Sequence, residues 1–405
     1  MYRIWYSTEE FADYIINNTG LKNENTEKKK LLPSDASNGK LFHTMPDHLR
    51  KILYLDCPDI IVEKDGEPLF SIEESKEAGT GHNVFQRFAR LAASVENNVP
   101  AFFIYPKAKL IYRESNDSIR WDNINPLIFK AMDSMMALYE IPAFLFYFPS
   151  VYGSQEASKY VKDKGLLYDR VYSSCPMSAD SNMKKLFSLI NFIVDKARTN
   201  SKCKYLQNSL FRDYRECMMR EYGKLMGESQ ISIKSPLSSV RIVPTEVFIK
   251  YLSKRESKEY KLGDFLKSRK TTAIYCVNAA FRGDPYPGAL AAVDYMICRE
   301  GQTYEDRSKN LVLLFGELNF DEEKGVLSIS PSEKIRIADF FKDVKASEQH
   351  NQLTKDYSQL KNYEIPRYMM QVRYGSAYSK VKHIRVYSYF ADAILFPDGE
   401  LWRDA

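Results

Sequence analysis

Apolar and polar positions along the first third of the chain follow two different periods, and the switches between them mark its elements. From Ser7 to Asn18 the spacing is helical, with Ser7 or Thr8 as N-cap and Phe11, Tyr14 and Ile15 turned inward. Gly20 to Gly39 is polar, carries Lys28, Lys29 and Lys30, and reads as an exposed loop. Ile52 to Leu55 leads into Pro58-Asp59-Ile60-Ile61-Val62, a short β-branched strand. Asp65-Gly66 is a turn signal, and a second strand follows over Pro68 to Ser75, so the pair is expected to form a hairpin. Beyond a small-residue loop, Asn83 caps a helix to about Asn97, with Val84, Phe88, Leu91 and Val95 on its apolar face. The continuous apolar run Ala101 to Tyr105 suits a strand buried on both faces.

A second helix-then-strand unit follows, with a helix over Leu127 to Tyr139 and an apolar strand from Ile141 to Pro149. Two such units predict an α/β layer structure with the sheet in the middle. Ser181 to Gly227 is helical in pattern, and the Ser-rich stretch from Glu228 to Val243 reads as a boundary. The remainder predicts strands at Ala273 to Val277, Asn310 to Phe315 and His383 to Tyr389, with a helix around Ala289 to Arg299. A division into 1–230 and 231–405 follows, the second part being α/β or α+β.

Composition narrows the classes without choosing one. The 405 residues are 44% hydrophobic and 27% charged, as in a folded globular protein, and the net charge of +5 permits nucleic acid without demanding it. The six cysteines form no C-x-x-C pair, so neither a zinc finger nor a disulfide framework is expected. MYRIWYSTEEF lacks the form of a secretory signal, and no apolar run approaches the roughly 20 residues of a membrane helix. The expectation is a cytoplasmic protein with no membrane partner.

The candidate chemistry lies on the first hairpin. Asp59 begins one strand and Glu74 ends the next, while Lys76, two residues on, leaves the same sheet face as Glu74. Carboxylates on adjacent strands hold a hard cation, and a neighbouring ammonium steadies an attacking water or developing negative charge. Pro58-Asp59, a hairpin, then Glu74-Ser75-Lys76 resembles the PD-(D/E)XK pattern of restriction endonucleases and related nucleases, over Tyr54 to Pro106. The resemblance implies a restriction-endonuclease-like core with a central mixed sheet flanked by helices. It also implies Mg²⁺ held by Asp59 and Glu74, with Lys76 assisting the water. Other E-x-K or D-x-K strings, such as Glu256-Ser257-Lys258 and Asp343-Val344-Lys345, follow no Pro-Asp at hairpin distance. A one-residue change of register turns Glu73 and Ser75 inward instead, so Glu73 is the alternative ligand. Glu77 is a further candidate ligand, or an exposed carboxylate at a strand end.

Around this hairpin, the loop Gly79-Thr80-Gly81-His82 leads into a helix N-terminus that suits a phosphate. Either His82 touches the scissile phosphate or donates a proton, or the loop is a flexible turn with an exposed His. Gln86, Arg87 and Arg90 follow, the arginines either reaching a phosphate backbone or simply solvated. Farther on, the basic stretch Lys250 to Lys270 reads as a solvated helix face. The loop Phe281 to Gly288 offers Arg282 for base reading or an internal pair with Asp284. A second metal site from Asp294 and Glu317 lacks a lysine at the required spacing. The function expected is a type II restriction endonuclease cutting double-stranded DNA with Mg²⁺, as a homodimer and beside a cognate DNA methyltransferase. The rivals are a less specific defence or repair nuclease of the same fold, and a DNA-binding protein that does not cleave.

Overall fold

The computed structural model describes residues 1–31, 45–53, 57–78, 81–113, 118–201, 203–228, 239–254, 266, 269–276, 296, 308–314, 316–330, 392–395 and 401–403. They divide into two compact units, one holding the described residues up to 228 and the other those from 239 onward.

The first unit is built on six strands: β1 (Tyr2–Tyr6), β2 (Thr26–Lys30), β3 (Ile60–Lys64), β4 (Glu67–Glu74), β5 (Ala101–Pro106) and, after a separate hairpin of β6 (Ala108–Arg113) and β7 (Ser118–Asn123), β8 (Ala143–Phe148). The sheet order is β2-β1-β3-β4-β5-β8. It is mixed: β1 is parallel to β2 and antiparallel to β3, β3 is antiparallel to β4, and β4, β5 and β8 run parallel. The β3–β4 turn is closed by Asp65 and Gly66, at φ 51° and 88°. Both lie in the left-handed region that a two-residue hairpin turn requires.

Helices cover both faces. On one side lie α2 (Asp47–Leu53), α3 (Gly81–Glu96) and α4 (Leu127–Tyr139), which follow α1 (Glu9–Asn18) in the chain. The α3 helix is tied to β4 by Ser71 Oγ donating to Ser94 Oγ at 2.8 Å, and α4 is tied to β8 by Phe129 against Tyr147. Opposite them lie α1, α5 (Ser181–Arg198) and α6 (Ser209–Glu228), where Tyr14 meets Phe187 edge-on and Tyr214 stacks on Phe146. Strand β5 is buried at all six positions, as its unbroken apolar run implies.

Several expectations are corrected. The lysine-rich segment read as loop contains a short 3₁₀ turn, Gly20–Asn23, and the edge strand β2. An edge tolerates lysines because its outer side is open. The helical pattern from Ser181 to Gly227 is borne out, as two helices separated between Arg198 and Ser209. Ser239–Pro244, inside the expected boundary, is a strand. Of the two N-cap candidates of α1, Thr8 holds the position, without a side-chain bond, and the Ser7 hydroxyl goes elsewhere.

In the second unit, β9 (Ser239–Pro244), α7 (Thr245–Ser253), β10 (Thr271–Cys276), β11 (Lys309–Leu314), β14 (Ala393–Leu395) and β15 (Leu401–Arg403) form a five-stranded sheet with its helix, beside the hairpin β12 (Glu317–Asp321) and β13 (Val326–Ser330). Strands β10, β11 and β14 are parallel. Val243, Phe248, Leu252, Ile274, Val312 and Leu314 belong to its core. A buried polar network sits at the starts of these strands: Arg269 donates to Asn310, whose amide donates to Thr245, Thr272 and the Leu266 carbonyl. Arg282, Asp284, Asp294, the helix expected near Ala289, the strand from His383 and most of the 250–270 stretch beyond α7 lie outside the described residues.

Candidate active site

Strands β3 and β4 deliver the carboxylates. Asp59 stands just before β3, and its two oxygens are separately held: Oδ1 accepts from Ser7 Oγ at 3.0 Å and Oδ2 from the Glu74 backbone N–H at 2.8 Å. The Ser7 N–H also donates to the Asp59 carbonyl at 2.8 Å. Asp59 is thereby clasped between the end of β1 and the end of β4, each oxygen keeping further acceptor capacity.

Glu74 and Lys76 leave β4 toward α1, with Lys76 Nζ 4.0 Å from the Glu74 carboxylate. Lys76 Nζ also lies 5.7 Å from the ring centre of Tyr168, within cation–π range. Burial pushes the Glu74 carboxyl up to about 8; Lys76 draws it back and the charge of Asp59 raises it further. Its Oε1 is buried without a hydrogen-bond partner. Nearby Tyr14 is fully buried, and its hydroxyl is likewise without a partner. The Cys175 thiol, also buried on this side, is pushed up to about 12, first by burial and then by Glu74. Glu10, one turn before Tyr14 on α1, accepts from Ser174 N at 3.1 Å and Ser174 Oγ at 2.5 Å.

Glu73 points to the other face. It is wholly buried and takes ion pairs from Arg87 and from Arg90, the latter at 2.6 Å. Arg87 also donates to the Glu74 carbonyl at 2.7 Å. Burial still lifts the Glu73 carboxyl to about 7, against the pull of Arg90 and Arg87 and with a push from Asp59. The arginines expected on a solvated or phosphate-facing stripe are therefore turned to the sheet, with side chains 23% and 14% exposed. The register places Glu74 with Lys76 and leaves Glu73 occupied by two guanidinium groups.

Glu77 is also engaged. Its carboxylate pairs with Lys109 of β6 and with Lys164 at 2.9 Å. Gly81, His82 and Gln86 fall on the first turns of α3, their side chains outside the described set, as are Gly79 and Thr80. Cys57, Cys175, Cys203, Cys217 and Cys276 carry reduced thiols.

Among the described residues, no three His, Cys, Asp or Glu side chains gather into a ready-made metal cage. Asp59 and Glu74 form an open pair. Their chemistry suits a hard divalent cation, since both are oxygen donors, one orphaned oxygen belongs to Glu74, and burial disfavours two uncompensated negative charges. Ser7, Glu10, Tyr14 and Tyr168 join this region, Ser7 having been read as a cap candidate and Tyr14 as a core position, and Glu10 and Tyr168 carrying no sequence signal. Among the described residues no helix is long and apolar enough to cross a membrane. Comparison with protein-family models, curated proteins and solved structures found no match.

Proposed function

We propose that the chain is a Mg²⁺-dependent DNA nuclease of the PD-(D/E)XK type, with Asp59 and Glu74 holding the cation and Lys76 beside it. The observation that carries this reading is that Asp59 is held by the Glu74 N–H while Lys76 stands 4.0 Å from the Glu74 carboxylate, at one end of the antiparallel β3–β4 pair that is followed by α3 and parallel β5. Ser7 and the Glu74 N–H orient Asp59, so its carboxylate would meet a cation without a search through rotamers. Bound Mg²⁺ supplies the Lewis acid that phosphodiester hydrolysis needs. Lys76, steadied over Tyr168, offers an ammonium to the attacking water or to charge building on the phosphate.

Within that class we propose a type II restriction endonuclease acting on double-stranded DNA as a homodimer, with the second unit supplying target recognition. A cognate methyltransferase then protects host DNA at the same sequence. Digestion of unmethylated DNA with Mg²⁺, beside EDTA, tests both levels. Discrete bands are expected, reduced about 100-fold or more in Asp59→Asn and Glu74→Gln. A smear keeps the nuclease and removes the sequence specificity. Binding in EDTA without products under Mg²⁺ or Mn²⁺ favours a non-cleaving DNA-binding protein, and full cleavage by Asp59→Asn removes the site.

A further inference from the structure

Beyond the carboxylate pair, β4 runs on into a second charged cluster. Glu77 follows Lys76 directly, and adjacent Cα atoms are only about 3.8 Å apart. Each Glu77 oxygen has its own lysine: Oε2 faces Lys109 Nζ, and Oε1 accepts from Lys164 Nζ at 2.9 Å. Ser75 fixes the Glu77 backbone, its hydroxyl accepting from Glu77 N at 3.1 Å and donating to Glu77 O at 3.2 Å.

The two lysines are not ordinary surface charges. The Lys109 side chain is 9% exposed, and burial, followed by the charge of Lys164, lowers its pKa. A lysine held there is costly unless an anion meets it. Lys164 is half-exposed, and its backbone is held in the left-handed region at φ 54°, next to Gly165 at φ 75°. Leu110 N donates to the Lys164 carbonyl at 2.8 Å, joining this corner to β6. A side chain at Gly165 would strain its positive φ and force a shift, because a Cβ there would stand 2.7 Å from the Trp121 ring of β7. The β6–β7 hairpin and the corner at Lys164 thus present two ammonium groups to one acceptor. Across the hairpin, Asp122 stands opposite Lys109 in register and offsets part of the charge.

A carboxylate and the two non-bridging oxygens of a phosphodiester offer similar paired acceptors. We propose that Lys109 and Lys164 clamp a backbone phosphate of the bound DNA strand beside the cleaved one, and that Glu77 fills the same place in the free protein. The clamp rests on the nuclease reading above, since it names the substrate contact next to that site. Glu77 then acts as a competing anion. Its removal should strengthen DNA binding, whereas a purely structural ion cluster would be weakened by the same change.

Fluorescence anisotropy with a labelled DNA duplex in EDTA, over a series of salt concentrations, separates these outcomes. Glu77→Ala should bind about tenfold more tightly at low salt; Lys164→Gln should bind about tenfold more weakly. Lys164→Gln should also lower the slope of log affinity against log salt by about 1, and Lys164→Arg should restore it. If Glu77→Ala does not fold, the Lys164 salt slopes decide. Weaker or unchanged binding by folded Glu77→Ala, or an unchanged slope in Lys164→Gln, overturns the clamp while leaving the nuclease standing. Absence of DNA binding by the wild-type chain at low salt removes both.

Discussion

Glu73 and Glu74 are neighbours whose surroundings differ because successive side chains of a strand leave opposite faces of the sheet. Two guanidinium groups meet the first, and one ammonium and Asp59 stand near the second. Both carboxyls are lifted by burial, to about 7 and about 8. The sign of the consequence follows from proton counting: from the ordinary carboxyl range up to these values the folded state binds more protons than the unfolded state. Stability therefore falls as pH rises through that window. The melting temperature in EDTA should drop between about pH 5 and 8, with a flatter profile in Glu74→Gln. Added Mg²⁺ should raise it more at the upper end, because cation and proton compete for one carboxyl. An identical slope in wild type and Glu74→Gln would place the titrating group elsewhere. The Asp59, Glu74 and Lys76 set was legible because strand period and hairpin length are local. Ser7 was not, since a serine ahead of an amphipathic helix carries the ordinary mark of a cap. The pairing of Glu77 with Lys109 and Lys164 was not legible either, because partners so distant in sequence leave no spacing to read.

At the scale of elements, α3 is fastened to β4 through Glu73, Arg87 and Arg90. Removing one partner of a buried ion pair leaves the rest uncompensated, so Glu73→Ala should cost about 3–5 kcal/mol in urea unfolding. In Glu73→Gln the Mg²⁺-induced rise in melting temperature should persist. If that rise vanished while the fold held, Glu73 would be the metal ligand. The β3–β4 hairpin was readable from Asp65-Gly66, whose left-handed backbone few other dipeptides accept. The β6–β7 hairpin was not: Ala108 to Arg113 lacks strict alternation, and Trp121 and Leu110 close on Gly165, a contact too distant in sequence to leave a spacing. For β2 the signal was misleading, since its run of Lys28 to Lys30 has the composition of a loop and is ordered by parallel pairing with β1.

For the whole molecule, the two units have separate hydrophobic interiors, one around β5 and the other around β10 and β11. Chains of this kind depart from two-state unfolding. Two transitions are expected, with Trp5 and Trp121 in the first unit and Trp402 on β15 as fluorescence probes. Mg²⁺ should displace only the transition of the first unit, and neither in Glu74→Gln. A single transition shifted as a whole would mean that the units unfold together. The layer order of the first unit was visible in its helix-then-strand grammar. That of the second was only partly so, because its parallel strands are brought together by connections outside the described residues.

The rims of the first unit's sheet also bear on how the protein behaves in a crowded solution. On β2, Lys28 is engaged by Glu9 and Asp13, and Lys29 by Glu27 and the Trp5 ring. Beside β8, the Tyr214 hydroxyl donates to the Leu145 carbonyl at 2.8 Å. A stray strand seeking a template would have to strip ammonium groups from their acids at one rim and displace a buried phenol at the other. Both rims of the sheet are thereby guarded against edge-to-edge growth from molecule to molecule.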